Sequence, residues 1–375
     1  MKKLLFTLVA SIAATCAAQN PYYVSPIIHE DHTVTFTLYA PEAKEVYVDI
    51  VNSGTESTGK VLMEKNEDGF WTKTLGPFDP EIYYYLFHTD GSKHCDVRNP
   101  NIKKWLFSVS VFEIPGEAVK AYSQQEIPHG VVQLHHYQSR FSGKLRKMWV
   151  YLPPNYSEET KYPVAFFHHG WGAQPNEWIE NGRIHFIADH LINEGKMKPM
   201  IIVMPEGHPA GREILNTQPN LKDFKVYRAN NNPHLASELK ESIIPFLEEE
   251  FSLAKGPENR ALIGASMGGE QAIEIGLTHS DTFAFIIAMS ASYYRQYEKM
   301  PELNEKKSET FANNKLFRIC FGDQEMEMGK GELTGFRQWL TDNEIPFQWS
   351  ISKGGHEWDT WRRELLISLP LLFQW

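Results

Sequence analysis

The stretch Arg260-Ala261-Leu262-Ile263-Gly264-Ala265-Ser266-Met267-Gly268-Gly269 decides the fold of this chain. Its first apolar residues predict a buried strand, and the segment from 267 to 279, rich in Glu, Gln, Ala, Ile and Leu, predicts a helix. Between them lies the pattern G-x-S-x-G, at Gly264, Ser266 and Gly268, which places a serine on a sharp strand-to-helix turn. Side chains at positions 264 and 268 would collide with the neighbouring strand and helix. The stretch therefore predicts a nucleophilic Ser266 exposed above the edge of a sheet.

The residues around this motif alternate between strand and helix patterns from residue 130 to the C-terminus. A hairpin pattern comes first, over 130–139 and 144–152, and buried strands are predicted at 162–167, 200–204, 261–263, 283–288, 316–321 and 347–351. Helices are predicted at 178–193 and from the pair Asn232-Pro233, where Asn is the cap and Pro lies in the first turn. Apolar strands separated by helices indicate a mostly parallel sheet covered on both faces. We therefore predict a three-layer α/β-hydrolase domain over 130–375.

The N-terminal part has a different period. Residues 33–40, 46–50, 69–75 and 82–88 alternate polar and apolar side chains, with turn signals between them. This spacing predicts an all-β, immunoglobulin-like sandwich over 20–114. Trp71 is a candidate sugar platform, although its place in an alternating strand favours the core. A linker is predicted at 115–129, where Pro and Gly disfavour both helix and strand.

Composition and the first residues limit the functional class. The chain has 375 residues and a formal net charge of −10, with no long basic run, which argues against a nucleic-acid partner. Two lysines, an apolar run at 4–14 and small residues before Gln19 predict a signal peptide over 1–18, and not a membrane span. We therefore expect an exported protein, periplasmic or extracellular, with lipid anchoring at Cys16 as the less favoured alternative. Cys95 and Cys320 fall in different predicted domains, so no disulfide framework is expected.

A serine nucleophile needs a base and an acid, which follow it in that fold in the order Ser, acid, His. Only His279 and His356 follow Ser266, and His279 lies about 18 Å away along the predicted helix. His356 follows the last predicted strand, so we predict that it is the base and that it is hydrogen-bonded to Ser266. The acid should lie after the preceding strand, where the residues alone leave Asp323, Glu325 and Glu327 open.

Two backbone amides are predicted to bind the oxyanion of the tetrahedral intermediate. One belongs to Met267, at the start of the helix after the nucleophile, and the other to Trp171, in the glycine-rich loop 168–172. His168 and His169 in that loop form a poor metal chelate, because adjacent strand residues point to opposite faces. We predict no metal and no organic cofactor.

The second half resembles carbohydrate esterase family 1, the feruloyl and acetyl-xylan esterases related to enterochelin esterases. The pieces that carry the resemblance are His169-Gly170-Trp171-Gly172, Trp178…Gly182-Arg183, Met204-Pro205-Glu206-Gly207, Gly264-Ala265-Ser266-Met267-Gly268-Gly269 and Gly354-Gly355-His356-Glu357-Trp358…Trp361-Arg362. The family usually has its acid three residues after a glycine, which corresponds to Glu325. Most relatives have Asp there, so Asp323 stays the alternative acid. The first half resembles the early-set β-sandwiches that precede such esterases, similar to family 48 carbohydrate-binding modules, on residues 34–46, 69–71 and the strand that contains Tyr83.

The resemblance implies a serine esterase that removes feruloyl or acetyl groups from plant cell-wall polysaccharide such as xylan, through an acyl-enzyme. The expected partner is an ester of a polysaccharide or oligosaccharide, and no oligomeric state follows from the sequence. Trp178 and His208 are candidate residues of the substrate pocket, and Trp171 and Trp178 are candidates to stack on a feruloyl ring. The alternatives are a different ester, such as a siderophore ester, acyl transfer to an acceptor other than water, and a carbohydrate-binding protein with an inert hydrolase half.

Overall fold

A computed structural model describes residues 22–52, 56–104, 107–212, 221–291, 313–325 and 330–374. The predicted signal peptide, Cys16 and Glu327 lie outside these ranges. The described part contains an N-terminal β region with two antiparallel sheets, followed by one eight-stranded sheet with helices.

The N-terminal β region, residues 22–113, has two sheets whose inner faces share one core. One sheet has the order β1-β2-β6-β5, and the other β4-β3-β7-β10-β9 with β8 paired to β7. Phe36 from the first sheet and Phe87 and Phe112 from the second meet in the same apolar cluster. The strands are β1 (Ile27–Ile28), β2 (Val34–Tyr39), β3 (Val46–Asn52), β4 (Glu56–Leu62), β5 (Glu64–Lys65), β6 (Phe70–Leu75), β7 (Ile82–Thr89), β8 (Ser92–His94), β9 (Ile102–Lys104) and β10 (Ser108–Glu113).

This packing is that of a β-rich region with facing sheets, and the immunoglobulin-like assignment stays a prediction. Trp71 is buried in its core, and its indole N–H donates to the carbonyl of Ala40 at 2.9 Å. The ring therefore offers no free face to a sugar.

The predicted linker is partly ordered, contrary to the expectation that it lacks helix. Glu117–Tyr122 forms a 3₁₀ helix. Its buried side chains Val119 and Tyr122 join an apolar cluster with Ile82 of the β region and Trp178 of the second half. Burial of these two side chains stabilises a helical turn that the local Pro and Gly residues do not favour by themselves.

The second half is built on a sheet with the order β11-β12-β14-β13-β15-β16-β17-β18. The strands are β11 (Val131–Gln138), β12 (Leu145–Leu152), β13 (Val164–His168), β14 (Ile201–Pro205), β15 (Arg260–Ala265), β16 (Phe285–Met289), β17 (Leu316–Gly322) and β18 (Gln348–Ser352). The pairs β11–β12 and β12–β14 are antiparallel, and the remaining neighbours, from β14 to β18 in the sheet order, pair in parallel. The carboxyl ends of these parallel strands therefore meet at one edge, where ligands bind in sheets of this type.

Seven α-helices accompany this sheet in the described ranges. They are α1 (Glu177–Glu180), α2 (Ile184–Asn193), α3 (Leu221–Glu238), α4 (Ile244–Glu250), α5 (Met267–Thr278), α6 (Lys330–Asp342) and α7 (Trp358–Ser368). None of them has the length and apolar character needed to cross a membrane.

Two helix predictions differ from the structure. The predicted helix 178–193 is broken into α1 and α2, because Arg183 between them has a φ of 54°. The predicted start at Asn232-Pro233 is wrong, since the chain is already helical at Leu221 and Pro233 lies inside α3. The buried Leu235 and Leu239 explain the tolerance, because apolar burial over this segment outweighs the hydrogen bond that a helical proline removes.

Candidate active site

Ser266 occupies the sharp turn between β15 and α5. Its backbone has φ 57° and ψ −119°, a region that non-glycine residues rarely adopt. The turn is fixed at both ends: the Ser266 N–H donates to the carbonyl of Met289 at 2.9 Å, and the Ser266 carbonyl accepts the N–H of Glu270 at 3.1 Å. The side chain stays partly exposed among buried neighbours.

Glycine is required on both sides of this turn for the steric reason expected from the sequence. A Cβ on Gly264 would collide with the backbone of Gly268 in α5, and a Cβ on Gly268 would collide with the carbonyl of His168 in β13. Strand and helix therefore approach each other more closely than any side chain permits.

His356 lies in the loop after β18 and contacts Glu325, in the loop after β17. Its Nδ1 is 2.8 Å from Oε2 of Glu325. The imidazole is 40% exposed whereas the carboxylate is 9% exposed, so the histidine faces the open side of the pair. Oε1 of Glu325 accepts two further bonds, from the hydroxyl of Ser290 at 2.6 Å and the N–H of Gly322 at 2.9 Å. The carboxylate is thereby held by both oxygens.

Asp323, the alternative acid, contacts the backbone of the histidine loop and not the histidine ring. It is exposed, and its Oδ1 accepts the N–H of Gly354 at 2.9 Å. The structure therefore brings Glu325 to His356 and leaves Asp323 as a support of the loop.

Ser290 is a residue that sequence reasoning missed. It follows β16, has a φ of 49° and is buried. Its hydroxyl donates to Glu325 and accepts the indole N–H of Trp361 at 2.8 Å. The ring of Trp361 also lies edge-on to His356, with centroids 5.4 Å apart. The same rule that pointed to His356, a polar residue at the carboxyl end of a parallel strand, would have found Ser290.

The predicted hydrogen bond between Ser266 and His356 is not formed, although both residues lie within the described ranges. The two side chains follow β15 and β18, whose carboxyl ends lie at the same edge of the sheet. Catalytic hydrogen bonds are often long in unliganded sites and tighten when substrate binds. Proton transfer between the two residues therefore stays a prediction.

The predicted oxyanion loop lies beside the serine. A Cβ on Gly170 would be 3.5 Å from Cβ of Ser266, so the loop backbone passes next to the nucleophile. Arg212 holds the loop from behind, because its guanidinium donates to the carbonyls of Gly172 at 3.3 Å and Ala173 at 3.0 Å. Met267 is the first residue of α5, where backbone amides have no partner within the helix.

Glu206 anchors this arginine. Its two carboxylate oxygens accept Nη1 of Arg212 at 2.9 and 3.0 Å. Burial acts to raise the pKa of Glu206, but the contact with His169 and the charge of Arg212 outweigh it and hold that pKa at about 2. The carboxylate is therefore ionised at neutral pH. It holds Arg212, which in turn binds the carbonyls of the loop.

The two candidate pocket residues are both buried. Trp178 has no exposed surface and packs edge-on against Phe167 and Trp358. His208 is 1% exposed, and burial together with the charge of His169 lowers its pKa to about 3. Trp171 packs edge-on against His208, with ring centroids 5.5 Å apart. The expectation that Trp178 and His208 line a pocket is therefore not met, since these rings support the loops around the serine.

A sheet flanked by helices, with a strained serine and a histidine–carboxylate pair at one edge, is the arrangement of an α/β-hydrolase-like protein. The family model described as "Putative esterase" matches residues 139–372, and the chain belongs to that esterase family.

Three individual proteins show which esterases the chain resembles. The chain is 30% identical over 362 residues to an endo-1,4-beta-xylanase/feruloyl esterase of Xylanibacter ruminicola, a match that covers 93% of this chain and 46% of that protein. The chain thus spans about half the length of this relative. A ferulic acid esterase of family CE1 from Anaeromyces mucronatus, in complex with ferulic acid, is 25% identical with a TM-score of 0.58, covering 74% of this chain and 98% of the other. The enterobactin esterase of Shigella flexneri shares the fold, at 17% identity and a TM-score of 0.63 over 91% of this chain and 93% of the other.

Proposed function

We propose that Ser266, His356 and Glu325 form a catalytic triad that hydrolyses ester decorations on plant cell-wall polysaccharide such as xylan. The observation that carries the proposal is the bond of 2.8 Å between His356 Nδ1 and Glu325 Oε2, at the sheet edge where Ser266 is held in its strained turn. Nδ1–H facing a carboxylate fixes the tautomer in which Nε2 is free to accept a proton.

The chemistry proceeds in two half-reactions. The oxygen of Ser266 attacks the ester carbonyl while His356 takes the serine proton, and the amides of Met267 and Trp171 bind the oxyanion. Loss of one such donor typically costs about 2.7–4 kcal/mol of barrier. His356 then gives its proton to the departing sugar hydroxyl, which leaves an acyl-enzyme. Water attacks the acyl-enzyme, again with His356 as base, and releases the carboxylic acid and the free serine.

The substrate class is supported by the relatives. The Xylanibacter ruminicola relative is named for both xylanase and feruloyl esterase activity, and the Anaeromyces mucronatus esterase was solved with ferulic acid. We therefore favour feruloyl esters over acetyl esters. Such polysaccharides lie outside the cytoplasm, which agrees with the predicted export signal.

The test is a substrate panel on the purified chain with Ser266→Ala as its control. Methyl ferulate, acetylated xylan and a siderophore ester are compared by kcat/KM, and feruloyl release should be the fastest. Ser266→Ala should lose at least about 10⁴-fold in kcat, because the nucleophile is gone, while pull-down by polysaccharide is unchanged. Faster turnover of the siderophore ester would replace the substrate assignment, and undiminished turnover by the variant would exclude the triad.

A further inference from the structure

A buried ion pair joins the N-terminal β region to the helix that follows the catalytic histidine. Arg362, in α7, has no exposed surface, and its Nη2 donates to Oε1 of Glu81 at 2.7 Å. Glu81 directly precedes β7 of the β region. The same guanidinium donates through Nη1 to the carbonyl of Asn181 at 2.7 Å and lies 4.9 Å from the ring centroid of Tyr122.

Glu81 is built into this contact by more than one bond. The hydroxyl of Tyr122 donates to its two carboxylate oxygens at 3.1 and 3.0 Å, and Nη2 of Arg363 lies 3.5 Å from Oε2. The carboxylate is 16% exposed. Glu81, an acid of the β region, therefore pairs with both Arg362 and Arg363 of α7.

The residue next to Arg362 reaches the catalytic groups. Trp361 donates its indole N–H to Ser290 at 2.8 Å and lies against His356. Ser290 in turn donates to Glu325. Adjacent residues of one helical turn thus contact the β region on one side and the histidine–carboxylate pair on the other.

We propose that Glu81 is a positioning residue of the active site, and that the N-terminal β region is needed for the chemical step and not only for the binding of polysaccharide. The inference rests on the proposed function of Ser266, His356 and Glu325. Without Glu81 a buried guanidinium lacks its counter-ion, and such a charge is strongly unfavourable. The first turn of α7 then moves to hydrate Arg362, and it carries Trp361 away from Ser290.

Glu81→Gln tests this proposal, with Glu113→Gln as the matched control. Glu113 ends β10 of the same region and faces Arg183 of the second half at 3.4 Å, but Arg183 precedes α2 and touches neither His356 nor Glu325. For methyl ferulate, Glu81→Gln should lower kcat at least tenfold with KM within twofold, because Glu81 contacts Tyr122, Arg362 and Arg363 and lies behind α7. Glu113→Gln should leave both within twofold. Equal kcat values for wild type and Glu81→Gln, or equal losses in the two variants, would overturn the proposal.

A double variant tests the route through Arg362. Glu81→Gln with Arg362→Met removes the uncompensated charge, so the urea midpoint and kcat should both recover toward wild type. A kcat that stays at least tenfold low after the urea midpoint has recovered would refute the route through Arg362.

Hydrogen exchange gives a readout that does not depend on esterase activity. Amide exchange over 353–363 should be faster in Glu81→Gln than in Glu113→Gln, with the central sheet unchanged. Unchanged exchange in this segment would refute the positioning role. A wild-type chain without turnover would refute the proposed function while leaving the exchange result to decide the role of Glu81.

Discussion

Glu325→Gln is the substitution that probes the proposed triad most directly. Oε1 of Glu325 accepts hydrogen bonds from Ser290 and Gly322, and Oε2 contacts Nδ1 of His356. A glutamine keeps the first two bonds only if its carbonyl oxygen takes the Oε1 position, which turns its NH₂ group toward Nδ1. Because a donor then faces Nδ1, the ring proton moves to Nε2 and the imidazole can no longer accept the proton of Ser266.

The expected loss is large. The corresponding acid-to-amide exchange in a serine protease lowers kcat by about 10⁴, which corresponds to about 5.4 kcal/mol at 1.36 kcal/mol per tenfold change. KM should change little, because the exchanged group lies behind the histidine. Initial rates with methyl ferulate give kcat and KM, and a urea titration verifies that the variant is folded.

Asp323→Asn is the matched control in the same loop. Asp323 is exposed and accepts one N–H, from Gly354, which an asparagine carbonyl also accepts. An exposed exchange of this kind usually changes the free energy by less than about 0.5 kcal/mol, or about twofold in rate. If Glu325→Gln kept more than about a tenth of the wild-type kcat, or if Asp323→Asn fell as far, the assignment of the acid would be wrong.

Two further predictions concern buried polar groups. Ser290→Ala removes a charge-assisted bond worth about 1.5–3 kcal/mol, so kcat should fall about 10- to 150-fold. Ser350→Ala, which removes a bond of 3.0 Å from β18 to Glu364 of α7, should stay within twofold, and similar rates for both variants would contradict this role of Ser290. Burial, together with the charge of His169, lowers the pKa of His168 to about 3, so below pH 6.5 the unfolded chain binds a proton that the folded chain excludes, and stability is lost as the pH falls. Between pH 7.0 and 5.5 this one group should cost about 1.2 kcal/mol of unfolding free energy, measured by urea titration; equal losses in wild type and His168→Gln would exclude it.

The local geometry of the nucleophile could be predicted from the sequence because it is set by short-range sterics. Gly264 and Gly268 are dictated by the approach of one strand to the helix that follows it and to the strand beside it, and these elements have strong patterns of their own. The position of His356 followed from the order of the strands. The change from a β-rich to an α/β pattern after residue 114 could be predicted because each half has a strong periodicity of its own.

The choice of acid depends on contacts that no local pattern contains. Glu325 reaches His356 because Gly322, three residues before it, and Ser290, 35 residues before it, both bind Oε1. The burial of Trp178 was missed because a tryptophan at the start of a predicted helix has the same sequence pattern whether it lines a pocket or supports one. Helix α3 was placed too late because the proline rule takes no account of Leu235, which is buried on the same helix, or of Leu239, which is buried directly after it.

Ile82, Tyr84 and Tyr122 share an apolar cluster with Trp178, and this cluster limits where the chain can be truncated for recombinant expression. A recombinant fragment trimmed to the family match, 139–372, would discard β11 and with it the antiparallel partner of β12. It would also expose to solvent a face that the N-terminal sheets now cover, and Arg362 would lose Glu81. Soluble, active material is therefore expected from a polypeptide that keeps both halves together, and aggregation from the hydrolase half expressed alone.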